Sequence, residues 1–88
     1  MQEQEAVEAL KAEGFEDVYV WEDKPNYEYP EHTHEKLTAH LILKGELILN
    51  DRGGHKSLKA GDRFDIPAGT THTARTGPEG ARYVIGEK

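Results

Sequence analysis

Three histidines, His32, His34 and His72, have the residue type and setting for joint chemistry. Successive side chains of an extended strand alternate faces, so His32 and His34 in His32-Thr33-His34 share a face, about 6.6 Å apart along the chain. That is a chelating separation. His72 follows Pro67-Ala68-Gly69, a turn signal that ends one strand and sends the chain back as another, which brings a third imidazole toward the same interior. Imidazole suits Zn, Cu, Fe and Ni, and three protein ligands leave positions open for water or a substrate. A lone His-x-His reads more simply as two polar side chains in a wet interior. The third histidine in a matching segment shifts the reading toward metal.

The three histidines sit in two glycine-punctuated segments. The first runs His32-Thr33-His34, three residues, Thr38, six residues and Gly45; the second runs Gly61, five residues, Pro67-Ala68-Gly69, two residues, His72, three residues and Thr76. Fifteen residues separate Gly45 from Gly61. This arrangement resembles the cupin superfamily, whose motifs are G(X)5HXH(X)3-4E(X)6G and G(X)5PXG(X)2H(X)3N. The second motif matches at Gly61, Pro67, Gly69 and His72, with Thr76 in place of Asn. The first matches at His32, His34 and Gly45, with Asn26 where its leading Gly would stand and Thr38 at the position of its Glu ligand.

The resemblance spans residues 26 to 76 and implies a small single-domain cupin, an all-β jelly-roll barrel holding one divalent transition metal (Fe, Mn, Ni, Cu or Zn) on His32, His34 and His72. A threonine hydroxyl is a poor substitute for a carboxylate, so the family's three-His-one-Glu site does not carry over intact. His40 shares the strand parity of Thr38 and lies about 6.6 Å beyond it. It reads either as a fourth ligand brought in by a bulge or as an interior histidine that lines the pocket as an acid or base. Tyr27 and Tyr29 precede the histidine pair with one parity, which puts one of them at the mouth of the pocket beside Thr38.

Composition sets bounds on the rest. Eighty-eight residues make one domain, and a chain of this size buries roughly 60–65 % of its unfolded surface. With 35 % hydrophobic and 32 % charged residues, the core must be thin and well covered, which favours a closed sheet over a layered α/β domain. A formal charge of −6 argues against nucleic acid and anionic membranes as partners. There is no Cys, so thiolate nucleophiles and sulfur ligands are excluded and a metal site must use N and O. The acidic start Met1-Gln2-Glu3-Gln4-Glu5 leads into no apolar signal segment, and a cytoplasmic location is the expectation.

Ala6, Val7 and Leu10 recur at helical spacing ahead of Gly14 and predict a short amphipathic helix over about 3–13. From about 18 to 86 short apolar runs are broken by Lys24-Pro25-Asn26, Lys44-Gly45, Asp51-Arg52-Gly53-Gly54, Ala60-Gly61-Asp62, Pro67-Ala68-Gly69 and Gly77-Pro78-Glu79-Gly80, the punctuation of a sandwich or barrel. If His32 and His34 face inward, then along the same strand Thr38, His40 and Ile42 do too, while Leu37, Ala39, Leu41 and Leu43 form an outward apolar row. That row needs a cover, either the helix or a second subunit. A homodimer is the simpler reading, and cupins commonly form one through packed sheets.

Other residues read blandly. His55 is an exposed loop histidine, and Arg63, Arg75 and Arg82 suit outward ion pairs better than an anionic substrate. Ser57, the only serine, lies outside any nucleophile-elbow context. Two functions from different classes stay open. One is a metal-dependent dioxygenase or isomerase acting on a small molecule; the other is a non-catalytic binding or sensor module, with or without metal.

Overall fold

The computed structural model describes residues 2–51 and 54–88. Helix α1, Glu3–Ala12, is followed by strands β1 (Asp17–Asp23), β2 (Glu28–Thr33), β3 (Thr38–Asp51), β4 (Gly54–Lys59), β5 (Arg63–Ile66) and β6 (Thr71–Glu87). Of the turn signal Asp51-Arg52-Gly53-Gly54, Arg52 and Gly53 lie outside the described residues, while Asp51 and Gly54 pair across β3 and β4. No described helix is long and apolar enough to cross a membrane.

The helix forms where its apolar spacing predicts, with Glu3 and Glu5 in the first turn and Lys11 in the last. That distribution complements the helix dipole. It buries Ala6 and Leu10 against Phe15, Ala39, Leu41 and Val84, with Leu37 and Leu43 partly buried alongside. Full burial of a leucine contributes roughly 1.5–3 kcal/mol. The outward row of β3 is thus packed within the chain against α1, Ala39 and Leu41 fully and Leu37 and Leu43 in part. Arg63 pairs with Glu13 and Asp65, and Arg82 with Glu3 and Glu22, so these two arginines tie helix and sheet together on the outside.

All strand pairs are antiparallel and join one six-stranded sheet of order β1-β6-β3-β4, with β2 added to β6 and β5 added to β3. The sheet folds over as a jelly-roll. Its two long strands take part in both walls: β6 pairs with β2 near its start and with β1 near its end, and β3 pairs with β5 near its start and β4 near its end. Ile42, Leu47, Leu49, Leu58, Ile66 and Tyr83 fill the space between the walls.

The signals Lys44-Gly45 and Gly77-Pro78-Glu79-Gly80 do not end strands, as their composition suggests, but bend β3 and β6 where their register shifts. Pro78 falls in the stretch of β6 skipped by that register, where its missing N–H leaves no ladder bond unmade. At the bend the backbones nearly touch. Gly45 has φ +78°, and a Cβ there would lie 2.1 Å from the Gly80 carbonyl oxygen. Gly45→Ala should therefore lower stability in urea denaturation by at least about 2 kcal/mol. An unchanged midpoint would mean that the bend yields easily.

Candidate metal centre and cavity

The histidine-bearing segments meet because β2 pairs with the start of β6, which sets His32 directly opposite His72. Between Tyr29 and His32 the register shifts by one residue, a bulge in β2 at Pro30 and Glu31. Tyr29 and His32 have opposite parity, and the bulge lets both line one cavity. His34 lies just past β2, in the crossing to β3, so the inward row runs over two strands rather than one. The Gly69 amide donates to the His34 carbonyl at 2.9 Å, so the Pro67-Ala68-Gly69 turn holds the first segment's second histidine in place.

The rings are close. Centroids are 4.1 Å apart for His32 and His72, 4.9 Å for His32 and His34, and 5.1 Å for His34 and His72. One potential ligand nitrogen from each lies within 4.8 Å of the others, the one such group of metal-ligating side chains among the described residues. His32 Nδ1 is 2.8 Å from the Pro30 carbonyl oxygen, so its N–H is directed there and the Nε2 lone pair is left to bind. Burial, then the neighbouring His32, holds the pKa values of His34 and His72 below the ordinary histidine value. Neutral imidazoles are what a divalent transition metal requires, and the donor set fits one.

His40 is not part of this group. It is 7 % exposed and lines the cavity with His32 and His34, and its Nδ1 has no hydrogen-bond partner among the described residues. Burial pushes its pKa down to about 4. Thr38, at the position of the family's Glu, is 2 % exposed and donates its hydroxyl to the Lys36 carbonyl at 3.0 Å. It does not line the cavity; nor does Tyr27, which stacks on Tyr29 at 4.8 Å, while Tyr29 does. His55 is exposed, bonds Asn50 and is not part of the group.

The other two departures from the motifs have physical accounts. Asn26 takes φ +54°, the left-handed region that Gly enters freely and that Asn tolerates better than most residues. Thr76 is 1 % exposed, accepts the Tyr27 amide at 2.8 Å and donates to the Lys24 carbonyl at 2.7 Å. It clamps the turn between β1 and β2 onto β6, a task within reach of a hydroxyl.

The cavity above the histidines has a volume of about 210 Å³. Leu47, Leu49, Ala74 and Ile85 form its apolar side, and Tyr19, Trp21, Tyr29 and Tyr83 its aromatic side. Sequence reasoning missed the residue that organises the aromatic side. Asp23, 8 % exposed, accepts hydrogen bonds from Tyr29 at 2.6 Å, Tyr83 at 2.7 Å and Trp21 Nε1 at 2.9 Å. Burial, then the bond to Asp23, raises the pKa values of both tyrosines, so they stay protonated. Tyr19, whose hydroxyl donates to Glu87 at 3.0 Å, is pushed up to about 12 by burial and then by that bond. The one signal available was that Tyr19, Trp21 and Asp23 share a face of one strand.

Comparison with known proteins agrees with this architecture. Among curated proteins none matches. An RmlC-like cupin from Shewanella frigidimarina superposes with a TM-score of 0.71 at 26 % identity, covering 80 % of this chain and 62 % of that one. A protein of unknown function from Rhizobium leguminosarum gives 0.75 at 21 %, covering 80 % and 66 %, a likeness of fold alone. The DMSP lyase DddQ from Ruegeria pomeroyi gives 0.74 at 26 %, covering 81 % of this chain and 36 % of that one. The chain thus spans less than two thirds of the length of each of these three relatives. The cupin domain profile matches residues 19–85, the whole of the sheet from within β1 to near the end of β6, and the chain belongs to the cupin family.

Proposed function

We propose that this cupin binds one divalent transition metal through His32, His34 and His72 and acts on a small organic molecule held in the cavity beside it. The observation that carries this reading is the convergence of the His32, His34 and His72 imidazoles, two of which, His32 and His34, line a cavity whose other walls are His40 and apolar and aromatic side chains. When bound, the metal would supply Lewis acidity or a site for oxygen, which makes dioxygenation and isomerisation the reaction classes to test. The chain's own part is to hold the three lone pairs together, to exclude water with Leu47, Leu49 and Ile85, and to orient the molecule against the aromatic side.

A non-catalytic binding module is the second reading. It is favoured by the absence, among the described residues, of a carboxylate from the histidine group, with Thr38 turned to the Lys36 carbonyl, and by the saturation of Asp23 with three hydrogen bonds. Metal analysis of protein purified without chelator, followed by product analysis and oxygen uptake on a small-molecule panel, separates the readings. Metal with turnover supports the enzyme, metal with saturable binding and no turnover supports the module, and protein without metal refutes the site.

Thr38→Glu tests the site from another side. A carboxylate introduced at this buried position gains a charge that only a cation can balance, so divalent metal should bind at least about tenfold more tightly, read by chelator competition. In His40→Ala the metal affinity should stay unchanged if three imidazoles suffice. A fall there with no gain in Thr38→Glu would mean that His40 is the fourth ligand.

A further inference from the structure

We infer that the aromatic side of the cavity is a receptor for a small organic onium ion, a cation whose charge is spread over alkyl groups and which has no N–H to donate. This names the ligand class of the cavity already proposed as the binding site. Four aromatic side chains line it, from three strands: Tyr19 and Trp21 on β1, Tyr29 on β2 and Tyr83 on β6. β1 and β6 place Trp21 directly opposite Tyr83, and Tyr27 stacks on Tyr29 without lining the cavity itself.

The polar edges of all four rings are already occupied. Tyr29, Tyr83 and Trp21 donate to Asp23, and Tyr19 donates to Glu87. The hydrogens that would recognise a carboxylate, a phosphate or a carbonyl are therefore committed elsewhere, and what remains for a ligand is ring carbon and π surface. Donation to a carboxylate also makes a ring more electron-rich, and the negative face of an aromatic ring attracts a cation. Among the described residues no Lys or Arg lines the cavity, so no fixed positive charge there favours an anion over a cation. An ammonium with N–H groups would have to turn to the ring nitrogens of His32 and His40 for acceptors, whereas an alkylated onium needs only the aromatic rings. Tyr19 and Trp21 are 41 % and 47 % exposed, which leaves this side open to entry.

Trp21 is the only tryptophan of the chain, so its emission reports on this side of the cavity alone. Chelator-treated full-length protein is titrated with tetramethylammonium chloride, with tert-butanol as the uncharged analogue of similar shape, and with sodium chloride as the ionic control. Saturable change with tetramethylammonium, at least about fivefold tighter than with tert-butanol and absent with salt, is the expected result. Tyr19→Leu should weaken it severalfold while Tyr19→Phe, which keeps the ring, should not; circular dichroism confirms that both are folded. Equal response to the two compounds would overturn the proposal in favour of a merely apolar pocket. No saturation with tetramethylammonium would overturn it outright, as would emission that shifts with protein concentration alone, the sign of a second copy covering the rim. Metal is absent throughout, so failure here leaves the three-histidine reading standing, and failure of that reading leaves this one testable.

Discussion

His72→Ala should strip the protein of its metal. Wild-type protein purified without chelator is expected to carry about one divalent ion per chain, whereas the variant should carry almost none, with affinity lowered by more than about a hundredfold. The reason is geometric. His72 is 3 % exposed and faces His32 across the β2 and β6 pair, with ring centroids 4.1 Å apart. No other described histidine belongs to the group: His40 stands outside it, and His55 is exposed and bonded to Asn50. Two imidazoles in a water-accessible cleft hold a divalent ion far less firmly than three. Inductively coupled plasma mass spectrometry on both proteins reads the outcome, with circular dichroism as the folding control. Full occupancy in the variant would show that the Pro67 to Thr76 segment serves the fold and not the metal.

Acid should unfold the metal-free protein through His40. Its imidazole titrates near 6.5 when unfolded and about 4 when folded, because burial disfavours the cation by more than a backbone hydrogen bond at Phe64 favours it, and His72 and His34 add to the fall. Between those values the unfolded chain takes up a proton that the folded chain refuses. Stability is therefore complete above about pH 6.5 and falls as the pH drops toward 4, by about 1.4 kcal/mol per unit and on the order of 3 kcal/mol in total. His34 and His72, lowered in the same direction, add to the fall. His40→Leu removes the largest share and an unpartnered buried nitrogen with it, so the variant should match or exceed the wild type at pH 7.5 and exceed it clearly at pH 4.5. Urea midpoints at the two pH values decide the matter; parallel losses in both proteins would acquit His40.

The histidine cluster was legible because its pattern is local in the chain: His32 and His34 are two residues apart, and the turn that places His72 is written in Pro67-Ala68-Gly69. The helix was legible from Ala6, Val7 and Leu10. What lay hidden depends on partners far apart in sequence. Asp23, among Glu22 and Lys24, looks like a solvated strand end, yet the fold delivers Tyr83 to it from sixty residues away. The bulge that turns Tyr29 and His32 to one side has no cue stronger than Pro30. The bends at Gly45 and at Gly77 to Gly80 carry the residues of a turn, and composition alone does not tell a chain that reverses from one that changes sheets.

The pairing of β1 with the last part of β6, from Asp17 against Glu87 to Asp23 against Ala81, bears on time as well as shape. Contacts so distant in sequence are the slow ones to form, because a long loop must close before any of them is rewarded. The β3 and β4 hairpin needs no such closure. Trp21 bonds Asp23 within its own strand but meets Tyr83 and the cavity wall only when the two ends of the domain have met, and its emission in a refolding experiment would follow the completion of the binding chamber rather than the collapse of the core.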